Sequence, residues 1–117
     1  MTRYTVIFVG RGSPIKIIKK LYDQIDDELD GALDYAKDAV EHADEHPAVA
    51  KTWYEISLVE CTHVDLLHKR VVEIITDYRA KHGEAPAAMQ AVYDYLHKKA
   101  IDKMAEIRRY QDMYKQK

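Results

Sequence analysis

Two carboxylates and one imidazole interrupt the apolar faces of two predicted helices, and they are typical metal ligands. Glu28 falls in a series of apolar residues that recur in steps of three and four. Glu60 and His63 fall in a second such series, three residues apart, and therefore stack on one helix face. An ionised carboxylate in an apolar seam costs several kcal/mol unless it is paired or bound to metal. Because carboxylate and imidazole ligands together suit iron or manganese, the three residues predict a divalent metal site.

Three long helices are predicted to position these residues, at about 14–44, 47–82 and 86–115. The scarcity of Gly and Pro favours helix, and each Pro stands where a helix could begin. Short connections make consecutive helices antiparallel neighbours, so the expected fold is an all-α bundle of long helices. The predicted seam of the first helix is Ile18, Leu21, Ile25, Glu28, Ala32, Tyr35 and Ala39. That of the second helix is Val49, Trp53, Ile56, Glu60, His63, Leu67, Val71 and Ile74.

The three polar residues are predicted to lie at one height in the first helical hairpin. The first turn centres near residue 45.5, about 17.5 residues from both Glu28 and His63 and about 14.5 from Glu60. At about 1.5 Å per residue, all three lie roughly 22–26 Å from the turn. We therefore expect them to meet in a dry interior. The alternatives to a metal site are a buried Glu–His ion pair and a water-linked polar layer.

These segments resemble the ferritin-like di-iron proteins, such as rubrerythrins and bacterioferritins. The resemblance rests on "ELDGALDY", which contains Glu28 and Tyr35, on "ECTH" at 60–63, and on the 32 residues between Glu28 and Glu60. It covers about residues 15–80 and implies a ferritin-like bundle with a two-iron site, manganese being the alternative metal. It also implies Glu60 as bridging carboxylate, Glu28 as terminal carboxylate and His63 as terminal nitrogen ligand, with Tyr35 as a redox group or simply a core tyrosine.

A complete ferritin-like domain has four helices and two such half-motifs, whereas this chain has three long helices and one. A homodimer or higher homo-oligomer would supply the second half. The third helix is the other route: Glu106 lies at the matching height, and His97 has the better ligand chemistry but lies about 13 Å nearer the second turn. The predicted seam of that helix is Met89, Tyr93, Leu96, Ala100, Met104 and Ile107, and it contains neither candidate.

The activities implied by the resemblance are ferrous-iron oxidation or storage and peroxide reduction. Such an enzyme would be a ferroxidase- or peroxidase-like oxidoreductase with an external electron donor, since its single cysteine excludes a rubredoxin-type iron centre. The catalytic residues and the reaction itself are not assigned. The competing hypothesis is a non-enzymatic assembly or partner-binding protein with a vestigial, metal-free site.

The composition of the chain limits the kinds of protein that it can be. The 117 residues fit one domain, 47% are hydrophobic and 32% charged, and the net charge of −2 argues against nucleic-acid binding. The absence of a signal peptide or membrane-spanning run, together with one cysteine, predicts a cytoplasmic protein that does not bind membranes. Residues 1–13 are expected to form an N-terminal extended segment, with a β-like stretch at Tyr4–Val9 whose role is open, and residues 14–117 the helical domain.

Overall fold

A computed structural model describes residues 14–117, and this part of the chain is entirely helical. Helix α1 spans Pro14–His42, α2 spans Pro47–His82 and α3 spans Ala87–Lys115. The predicted bounds are confirmed to within two residues. The expected extended segment at 1–13, including Tyr4–Val9, lies outside the described residues.

Local sequence signals explain where α2 begins and ends. Pro47 is in the first turn of α2, where its missing N–H is not needed. At the other end Gly83 has a φ of 77°, and its N–H donates to the carbonyl of Arg79 at 2.9 Å. A left-handed φ favours glycine, so this residue ends the helix and allows the short turn into α3.

The three helices form a bundle in which α1 contacts both of the others. The carbonyl of Ala32 accepts from the Ser57 hydroxyl at 2.7 Å, which joins α1 to the antiparallel α2. Helix α3 runs parallel to α1 and covers one side of the α1–α2 hairpin. The hydrophobic core includes Ile18, Tyr22, Ile25, Leu29, Val64, Val71, Tyr78, Met89 and Ile107.

The buried face of α2 differs from the predicted seam by about one residue. The buried positions are Ala50, Ser57, Cys61, Val64, Val71 and Tyr78. Small side chains at the start of this face let α2 approach α1 closely, and a series chosen for large apolar residues passes over them. On α1, Tyr22 and Leu29 are buried where the prediction placed Leu21 and Glu28. The α3 seam is confirmed, since all six residues are buried or packed against the core.

None of the helices in residues 14–117 is long and apolar enough to span a membrane.

Candidate metal centre

Glu28, Glu60 and His63 meet at the middle of the α1–α2 hairpin. Each contributes one potential ligand atom, and these atoms all lie within 4.8 Å of one another. His63 Nδ1 is 3.2 Å from Glu28 Oε2, so a protonated Nδ1 donates a hydrogen bond to that carboxylate. The three residues predicted to lie at one height therefore do lie together, although they come from two helices.

The surroundings of this group differ from the predicted dry interior. The Glu28 side chain is 29% exposed and that of His63 is 46% exposed. The reason is the rotation of α2: its core face runs through Cys61 and Val64, which leaves Glu60 half-buried at the edge and His63 outside it. The group therefore lies on the open side of the hairpin, and one subunit alone does not form the expected dry interior.

Apolar side chains flank the group on the same open side. On α2 the positions one turn before and one turn after His63 are Val59, which is 52% exposed, and Leu66, which is 59% exposed. Val49, near the start of the helix, is 45% exposed, and on α1 Ile17 is also 45% exposed. A polar cluster in the middle of an exposed apolar surface differs from an ordinary solvated helix face.

The two carboxyl groups ionise differently. A hydrogen bond from Glu60 lowers the pKa of Glu28, and burial partly opposes that effect. The same hydrogen bond to Glu28 raises the pKa of Glu60, with burial and the negative charge of Glu28 acting in the same direction. The two pKa values therefore move apart, and Glu60 loses its proton at a higher pH than Glu28 does. A divalent cation in the same place would neutralise both carboxylates and compete with the proton of Glu60.

Gly31 leaves room beside Glu60, and sequence reasoning missed it. A Cβ atom added at Gly31 would lie 3.6 Å from Glu60 Oε2 and 3.8 Å from its Cδ. The space holds a methyl group at ordinary contact distance and nothing larger without moving the carboxylate. A glycine inside a helix, one turn after a candidate ligand, is the sequence signal that could have identified it.

The donor set and its arrangement fit a divalent metal ion. Two carboxylates and an imidazole from two helices converge on one point. Three ligands leave coordination positions open, which the exposure of His63 makes accessible.

The structure places Glu106 and His97 away from these three residues. The Glu106 carboxylate pairs with Lys37 Nζ at 4.0 Å. His97 Nδ1 lies 3.3 Å from the Tyr22 hydroxyl, in the core between α1 and α3. Both are on α3, which covers the opposite side of the hairpin, so height alone was a poor guide to where they lie.

Cys61 and Tyr35 lie close in sequence to the candidate ligands or to their motifs, and the structure shows how each one is packed. Cys61 is buried and its Sγ lies 3.7 Å from Met104 Sδ, so its thiol packs against α3 and not against this group. Tyr35 is half-buried on α1, and its redox role stays a prediction.

The chain matches no protein-family model, and neither the curated proteins nor the solved structures contain a match to it. The description of the three-helix bundle therefore depends on this chain alone. The resemblance to ferritin-like proteins depends on Glu28, Glu60 and His63 and their spacing.

Proposed function

We propose that the protein binds iron, or alternatively manganese, through Glu28, Glu60 and His63, and that it belongs with the ferritin-like di-iron proteins. The observation that carries the proposal is the convergence of three ligand-type side chains from two helices within 4.8 Å. A structural polar layer would pair and bury such groups, whereas here they are partly exposed and leave coordination positions open.

The proposed site is completed by a second copy of the chain. Three ligands from one subunit are half of the set that a two-metal carboxylate site uses. Two hairpins joined by a two-fold axis through their open sides would form a four-helix bundle with four carboxylates and two histidines at its centre. The exposed Val59 and Leu66 flank His63 and would become the apolar contacts of that interface.

The protein's own residues would then have distinct tasks. Glu60 and Glu28 would hold the metal through ionised carboxylates, and His63 would supply a nitrogen ligand. The hydrogen bond between His63 Nδ1 and Glu28 holds the two in one arrangement before metal enters. Bound iron would supply one-electron redox chemistry for ferrous oxidation and storage or for peroxide reduction, with electrons from an external donor.

A non-enzymatic assembly protein is the second candidate function. The exposed apolar residues on both sides of the polar group support it, because they favour an oligomer with or without metal. In that case the three polar residues form a metal-free layer at the interface.

The double variant Glu28→Ala/Glu60→Ala distinguishes the two functions. If metal binds, the Tm of wild-type protein rises on anaerobic addition of ferrous or manganous ion and that of the variant does not. A metal concentration of 100 times Kd stabilises the folded state by about 2.7 kcal/mol. The metal-free variant should be as stable as the metal-free wild type or more so, since two neighbouring carboxylates are removed.

Glu106→Ala is the matched control, because it removes a carboxylate that the sequence also nominated but that pairs with Lys37. It should keep the full metal-induced rise in Tm. Equal shifts in wild type and the double variant, or none in either, would favour the assembly function.

A further inference from the structure

On the side of the hairpin that α3 covers, aromatic rings from α2 and α3 form a stack. His68 of α2 and His97 of α3 have ring centroids 5.3 Å apart at an interplanar angle of 24°. Tyr93, also on α3, stacks with His97: their ring centroids are 5.4 Å apart and the interplanar angle is 16°. The buried Tyr22 of α1 approaches His97 Nδ1 through its hydroxyl at 3.3 Å. All three helices therefore meet at a pair of facing imidazoles.

The surroundings of His68 favour a neutral imidazole ring. His68 Nε2 is buried and has no hydrogen-bond partner within residues 14–117. Burial lowers the pKa of His68, as does the proximity of His97, while Asp65 acts in the opposite direction. Burial also raises the pKa of Tyr22 far above its ordinary value, so its hydroxyl stays neutral. A proton on His68 would thus be placed in an apolar contact next to a second imidazole.

The charged groups around the stack offer weak compensation. On α1, Asp26 already pairs with Lys99 and Lys103 at 3.4 Å each. On α3, Asp94 accepts a hydrogen bond from Gln90 at 2.9 Å. On α2, the nearby carboxylate is the exposed Asp65, which stays in solvent.

We propose that this pair of histidines makes the docking of α3 pH-dependent, so that protonation of His68 releases the middle of α3 from the hairpin. A protonated His68 ring would lie against the His97 ring of α3 with no buried carboxylate as its partner. Because the folded state favours neutral His68, the stabilisation is present above the ordinary histidine pKa and is lost as the pH falls below it. The device lies on the opposite side of α2 from the proposed metal site and operates without metal.

The single cysteine reports directly on the position of α3. Cys61 Sγ is covered by two α3 side chains, with Met104 Sδ at 3.7 Å and Gln111 Nε2 at 3.6 Å. Release of α3 would therefore expose the thiol to reagent while α1 and α2 stay paired. A dithiodipyridine reagent, which reacts in mild acid, measures this exposure.

The experiment measures the Cys61 labelling rate of metal-free protein from pH 7.5 to pH 5.0, divided at each pH by the rate in denaturant. We expect this ratio to rise at least about tenfold in wild type, because release of α3 would be linked to proton uptake by His68. In His68→Phe, which keeps a ring but cannot be protonated, the ratio should stay flat. His46→Gln, at an exposed position outside the proposed metal site, should retain the wild-type rise, which ties the effect to His68.

A flat ratio in wild type, or an equal rise in His68→Phe, would overturn the proposal. Far-UV circular dichroism at pH 7.5 checks that His68→Phe is folded. If this variant does not fold, the NMR resonances of the imidazole C–H groups in wild type are followed with pH instead. A His68 that titrates in this range with no change in Cys61 protection would equally contradict the proposal.

Discussion

Glu28 and Glu60 are chemically identical side chains at one level of the hairpin, and their environments shift their pKa values in opposite directions. A hydrogen bond from Glu60 lowers the pKa of Glu28. The same hydrogen bond, together with burial and the charge of Glu28, raises the pKa of Glu60. In the proposed site a metal ion competes with protons for Glu60, so the affinity for metal should increase as the pH rises.

The same pair predicts a pH-dependent effect of Glu60→Gln on metal-free protein. A raised pKa stabilises the folded state below the ordinary glutamate value of 4.5, and that stabilisation is lost as the pH rises through the folded pKa. Glutamine mimics the protonated acid, so the variant avoids this loss. We expect urea denaturation to show that the stability advantage of Glu60→Gln over wild type grows from pH 4.5 to pH 7.

Glu55→Gln is the matched control for that measurement, since Glu55 is exposed on the outer surface of the same helix. Its stability difference from wild type should not grow across the same pH window. A flat difference for Glu60→Gln as well would mean that the pKa of Glu60 is not raised in the folded state.

Among the helices, α2 shows what could be predicted from sequence and what could not. Its bounds follow from Pro47 and Gly83, which act locally, and they were predicted correctly. Its rotation depends on how closely α1 approaches, which small residues such as Ser57 and Cys61 decide. Hydrophobicity does not rank those residues as core, so the predicted face was turned by about one residue.

The candidate site was predictable for a different reason. In an antiparallel hairpin, the distance of each residue from the turn fixes which residues are level, and the helix rise makes that arithmetic dependable. Glu28 and His63 were therefore paired correctly although the face was slightly wrong. The side of the hairpin on which α3 packs has no comparable local signal, and this is why Glu106 and His97 were weighed as ligands.

A buried hydrogen-bond network fixes α3 against the other two helices. Gln111 Nε2 donates to Ser57 Oγ at 2.9 Å, and the Ser57 hydroxyl donates to the Ala32 carbonyl at 2.7 Å. Arg108 completes the network by donating to Gln111 Oε1 at 2.8 Å. Gln111 is 3% exposed, so these bonds are shielded from water.

Gln111→Ala should therefore destabilise the protein by about 1–3 kcal/mol, because it removes a buried hydrogen bond and leaves a small cavity. Urea denaturation of metal-free protein measures the change. Gln116→Ala, at the exposed end of α3, is the control and should change the stability by less than about 0.5 kcal/mol. A Gln111→Ala protein as stable as the control would show that the network does not hold α3.

For the whole molecule, the arrangement of α3 leaves the hairpin with one covered side and one open side. The covered side contains the core, and the open side contains the proposed ligands and several exposed apolar residues. A single subunit can thus fold around α3 while the opposite surface remains available to a second copy. The proposed function depends on that division.

Leu66→Asp should consequently weaken self-association without unfolding the subunit, since a 59%-exposed side chain contributes little to the monomer. Light scattering over a concentration series is expected to show a shift towards the 13.6 kDa subunit. Tyr95→Asp is the control, because Tyr95 is 67% exposed on α3, and it should leave the mass unchanged. The reverse pattern would assign the interface to α3.

The measurement that tests the central claim most directly is the metal content of protein loaded anaerobically with ferrous ion and then freed of unbound metal. Elemental analysis should find about one to two irons per subunit in wild type and in Glu106→Ala, and almost none in Glu60→Ala. Iron that is absent from wild type, or that remains in Glu60→Ala at the wild-type level, would contradict a metal site at Glu28, Glu60 and His63.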